Sequence, residues 1–113
     1  MIETKYAGWI YFNVEEPRKF LLKHGYVYTM RKKGRKEGWG YAKHGRKFLG
    51  KVIIERVADG IEAEKYWKKS GFSSLRDWVR HIDPKKMDIY RVSLVEKILE
   101  KPLKSSRCYI RMG

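Results

Sequence analysis

The chain has one cysteine, Cys108, and three prolines in 113 residues, and it contains no glutamine and a single asparagine, Asn13. One cysteine rules out an internal disulfide and a cysteine-rich zinc site, so neither oxidation nor metal is required to explain a fold. Cys108 reads as a small buried apolar residue rather than a nucleophile. His24, His44 and His81 are scattered and lack carboxylate or cysteine partners at ligand spacing, which argues against a metal centre, and no cofactor motif is present. The glycine-rich stretch lacks the order of a phosphate-binding P-loop. No run of about 18 apolar residues exists, and the opening MIETKYAGWIYFNV lacks the layout of a secretory signal, so no membrane association and a cytoplasmic location are expected. Scarce amide side chains beside abundant Lys, Arg and Glu give a composition of thermophile type.

Acidic charge is also scarce: 13 Asp and Glu face 27 Lys and Arg, for a net charge of +14. More than half of that excess lies between Arg31 and Lys51, where Arg31, Lys32, Lys33, Arg35, Lys36, Lys43, Arg46, Lys47 and Lys51 stand against Glu37, a net +8. Trp39, Tyr41 and Phe48 are threaded among them. Cationic heads neutralise phosphates and flat rings stack unpaired bases, which is how single-stranded nucleic acid is commonly held. The segment therefore predicts RNA as the partner and a basic, aromatic-interleaved groove built from Arg31, Lys32, Lys33, Arg35, Lys36, Trp39, Tyr41, Lys43, Arg46 and Lys47. Binding without turnover is the expectation.

Residues 1–113 read as one domain. Ala7 to Val14 alternates Ile10, Phe12 and Val14 with Trp9, Tyr11 and Asn13, the period of a strand. Asn13 is placed to cap a helix from Glu15 to His24, with Glu15, Glu16 and Pro17 in its first turn and Gly25 as its stop. Strands follow at Tyr26–Arg31, Trp39–His44 and Lys51–Val57, with Asp59-Gly60 as a turn. Ala63, Tyr66 and Trp67 predict a helix from Glu62 to Ser70. Ser74 begins a second helix carrying Leu75, Trp78, Val79 and Ile82, which ends near Asp83-Pro84. Ile89–Glu96 and Arg107–Met112 close the chain as strands, joined by a loop. Trp9, Trp67 and Trp78 read as core, and glycine-flanked Trp39 as exposed. Strand runs separated by helix clusters define the α+β class, with a short mixed sheet expected to curl into a partial barrel.

Three stretches carry a resemblance: Leu21–Arg31, Gly50-Lys51-Val52-Ile53-Ile54-Glu55-Arg56-Val57, and Gly71-Phe72-Ser73-Ser74-Leu75-Arg76-Asp77-Trp78. Their order resembles the PUA-like superfamily and its ASCH branch, in which a helix runs into a G-x-K-x-x-E-x-R motif and a later G-F-x-S helix precedes the last core strands. Of that motif Arg31 carries over, while Thr29 stands at the place of its glutamate. The resemblance implies a mixed-sheet pseudo-barrel with short flanking helices, a cleft beside the helix, and recognition of RNA or a modified nucleoside. It also implies an alternative, a small amidohydrolase or other enzyme acting on a modified nucleoside, with Thr29, a lysine from Lys32 or Lys51, and Glu55 as nucleophile, activator and proton carrier.

Overall fold

The computed structural model describes residues 5–97. The strands are β1 (Tyr6–Tyr11), β2 (Tyr26–Lys32), β3 (Gly38–His44), β4 (Lys47–Asp59) and β5 (Met87–Lys97), and the helices are α1 (Glu15–His24) and α2 (Leu75–Val79). Together they form a mixed α+β fold around one five-stranded sheet in the order β1-β3-β4-β5-β2. β1 runs parallel to β3, and every other neighbouring pair is antiparallel.

Alternation decides which side chains go inside. Ile10, Phe12, Val27, Ala42, Val52, Ile54, Tyr90 and Val92 point to one face, where they form a core with Leu21 of α1. Met30, Ala58, Ala63, Trp78 and Ile89 form a second cluster, in which Met30 and Ile89 alternate with the strand residues of the first. Ile10, Phe12 and Trp78 lie inside as expected, but Trp9 is 43% exposed. Its neighbours in sequence explain this: with Ile10 and Phe12 inside, the pleat sends Trp9 and Tyr11 outward. Val14, the third residue of that alternating set, lies beyond the strand and is exposed.

Local chemistry sets the ends of the helices. Gly25 adopts a left-handed conformation and its N–H donates to the Leu21 carbonyl, stopping α1 at the predicted place. Val14, rather than Asn13, occupies the position before α1, because the Asn13 Oδ1 accepts from the Gly45 N–H of the β3–β4 turn instead. Ser74 caps α2 by accepting from the Asp77 N–H at 3.1 Å. α2 is shorter than expected, ending at Val79, and the predicted helix over Glu62–Ser70 is a pair of 3-10 turns, Gly60–Lys65 and Trp67–Lys69. The expected final strand, the loop before it and Cys108 lie outside the described residues.

The sheet curls until its two edges meet. In a flat sheet β1 and β2 would stand four strand spacings apart, roughly 19 Å, beyond the reach of an arginine. Yet Arg31 of β2 donates from Nη2 to the Tyr11 carbonyl of β1 at 2.9 Å, and Arg35, just past β2, donates to the Trp9 carbonyl at 2.5 Å. Across the strand ends, Asp88 is a buried carboxylate held by Arg56 at 2.9 Å and by Lys33 at 3.0 Å, and Lys33 also reaches Asp59 at 2.7 Å.

Candidate nucleic-acid interface

The outward face of β1, β3 and β4 carries a connected set of rings. Register puts Tyr6 opposite Trp39, Trp9 opposite Tyr41, Tyr41 opposite Lys51 and Lys43 opposite Phe48. Cross-strand neighbours on one face lie close enough for rings to meet. Trp9 stacks on Phe48 with centroids 5.4 Å apart and planes 25° apart, and Tyr6 lies 4.6 Å from Trp39. Tyr41 joins the halves, at 5.7 Å from Trp39 and 5.5 Å from Phe48. Tyr6 and Phe48, like Trp9, rank among the exposed large apolar side chains.

Glycine lets the two strands that carry these rings approach each other. A Cβ on Gly40 would fall on the backbone oxygen of Gly8, so β1 and β3 can approach here only without one. Two lysines complete the face. The Lys43 ammonium lies 4.2 Å from the Trp9 centroid, and that of Lys51 lies 5.0 Å from the Trp39 centroid. Both are attracted by the ring faces. Lys43 joins no ion pair among the described residues, and Lys51 stands opposite Glu96 in the register of β4 and β5.

The predicted groove divides into three parts. Trp39, Tyr41 and Lys43 lie on the ring-bearing face, and Arg46 and Lys47 are exposed at the β3–β4 turn beside it. Lys32 and Lys36 are exposed at the end of β2 and in the turn after it, whereas Lys33 is occupied by Asp59 and Asp88, and Arg35 by the Trp9 and Lys36 carbonyls. Arg31 lies on the other side of the sheet. Trp39, expected to be exposed, is half-buried among Tyr6, Tyr41 and Lys51. Tyr6 and Trp9 were the omissions, and the alternation that buries Ile10 carries the signal for Trp9.

Arg31 lines a pocket of about 290 Å³ with Thr29, Phe12, Asn13, Pro17, Trp78 and their neighbours. Ser70 fixes the turn before Phe72, another lining residue: its buried hydroxyl donates to the Trp67 carbonyl at 2.6 Å and accepts from the Phe72 N–H at 3.2 Å. The guanidinium carbon sits 5.2 Å from the Phe12 centroid. Burial, reinforced by the nearby charge of Arg35, lowers its pKa to about 10, which leaves it cationic at neutral pH. The weak catalytic candidates are not brought together. Thr29 is buried on the pocket side, while Lys51 lies over Trp39 and Glu55 pairs in register with Arg91 and, through it, with Tyr28 on the opposite face. Among the described residues there is no cluster of metal-ligating side chains and no helix long and apolar enough to cross a membrane.

No family model, no curated protein and no solved structure matches this chain.

Proposed function

We propose that the protein is a module that binds single-stranded nucleic acid, RNA foremost, on the ring-bearing face of its sheet, in a PUA-like, ASCH-like setting. One observation carries this reading: five rings, Tyr6, Trp9, Trp39, Tyr41 and Phe48, form a connected outward surface with the ammonium groups of Lys43 and Lys51 over its indoles. Rings accept any base by stacking, while lysines supply phosphate contacts without sequence information. The edge-to-edge curl of the mixed sheet supports the PUA-like setting. The separation of Thr29 from Lys51 and Glu55 favours binding over the amidohydrolase alternative.

The test is fluorescence anisotropy of a labelled mixed-sequence RNA across a salt series. Single-strand binding should weaken with a log–log slope of about −0.7 for each phosphate contact. A single strand should bind more tightly than a duplex of the same length, whose bases are already stacked. A flat salt response, or equal affinity for the duplex, would remove the stacking surface from the reading.

A further inference from the structure

Arg31 is a half-buried cation flanked by apolar walls, and among the described residues no carboxylate pairs with it. Its Nη2 donates to the Tyr11 carbonyl, its Nε is buried without a hydrogen-bond partner, and no ion pair among the described residues includes it. The rest of the pocket adds no negative side chain: besides Arg31, its polar residues are Thr29, Asn13 and Tyr11, and the remainder is Phe12, Val14, Pro17, Phe72, Trp78 and Ile82. Withdrawing a charge even partly from water without a counter-charge has a cost, and the buried, unpaired Nε adds to it. A planar guanidinium fork beside an aromatic wall also matches a planar or tetrahedral oxyanion better than a lysine would.

We propose that this pocket is a binding site for an oxyanion, carboxylate or phosphate, carried on a small apolar or aromatic body, with Arg31 as its counter-ion and Phe12 and Trp78 flanking the body. The volume suits roughly one ring with its anionic head, at the small end of ligand pockets. The site lies across the sheet from the ring-bearing face, so it stands whether or not that face binds RNA.

Benzoate and phenyl phosphate are the probes, with benzamide as the neutral counterpart of benzoate, titrated calorimetrically at constant ionic strength and pH 7. Both anions should bind at least tenfold more tightly than benzamide and should shift the Arg31 Nε–H resonance. Arg31→Met should lose at least tenfold of that affinity, while Lys23→Met, which removes an exposed helix charge, should keep it. If Arg31→Met fails to fold, Val14→Trp serves in its place: exposed Val14 lines the pocket, and a bulky ring there should obstruct the anions. An RNA with a 5′-phosphate separates the two sources. Tenfold preference over the 5′-hydroxyl form, lost on obstruction, assigns the oxyanion to a nucleic-acid end, and no preference beside benzoate binding assigns it to a free small acid. Equal binding of benzoate and benzamide, or anion binding unchanged by Val14→Trp, would overturn the proposal.

Discussion

The ammonium of Lys43 sits 4.2 Å from the centre of the Trp9 ring, although the two residues lie on different strands, and its distance to the Phe48 centroid is 5.3 Å. One lysine thereby serves two stacked rings, and a bound strand would meet charge and π-surface at the same point. Trp9→Ala should weaken single-stranded RNA binding by roughly 1–3 kcal/mol. Its stability cost should be small, because the ring is substantially exposed. Anisotropy titration alongside thermal melting checks both parts. Unchanged affinity would place the bases elsewhere.

Trp39→Ala should behave differently. The ring is half-buried between Tyr6 and Tyr41, so its removal should lower both affinity and melting temperature. If melting were unaffected, the ring would be freer than its contacts imply.

Gly40→Ala tests the approach of β1 to β3. The added methyl would collide with backbone, which cannot rotate away as a side chain can, so a loss of roughly 3 kcal/mol or more is expected. Urea denaturation measures it. A loss below about 1 kcal/mol would mean that the two strands can separate cheaply.

Acid should erode the charge cluster at the strand ends. The hydrogen bond from Arg56, then that from Lys33, holds the Asp88 carboxyl below the usual carboxylate range, against the opposing effect of its burial. Asp59 is lowered chiefly by its hydrogen bond with Lys33. A depressed folded pKa means that the unfolded chain takes up protons first as pH falls. The contribution is therefore complete at neutral pH, declines as pH drops toward the ordinary Asp value of about 3.9, and is lost below the folded pKa. Urea melts between pH 7 and 3 should show this decline, and Asp88→Asn should flatten it while lowering stability at pH 7. An identical acid limb in the variant would assign the decline to other carboxylates.

Arg35→Met removes one of the two guanidinium links between the sheet edges. Hydrogen exchange of the β1 amides, Tyr6–Tyr11, should accelerate, with an overall loss of roughly 1 kcal/mol for a partly exposed charge-assisted bond. Unchanged exchange in β1 would show that its pairing with β3 suffices.

The sequence revealed the strands better than the contacts between them. Alternation at Ile10–Phe12 and in Lys51–Val57 is a local signal, because the pleat permits only one assignment once the buried face is known. The Glu62–Ser70 stretch was less legible: Ala63, Tyr66 and Trp67 satisfy a spacing of three as well as one of 3.6, and 3-10 turns use the former. Trp39, Tyr41 and Lys43 could be read as a surface group, whereas their union with Tyr6 and Trp9 depends on β1 lying beside β3. Arg31 and Arg35 looked like more of the basic run. Their structural use depends on which strands become the edges, and that property belongs to the sheet rather than to any window of residues.

The link between β1 and β2 through side chains, rather than through a hydrogen-bond ladder, also bears on self-association. A free strand edge invites a strand from another molecule, and nature commonly discourages this with charge. Here Arg31 and Arg35 occupy the Tyr11 and Trp9 carbonyls that an incoming strand would seek, and they place positive charge where a second copy would bring its own. The same two guanidinium groups that close the curl therefore guard its seam against edge-to-edge aggregation.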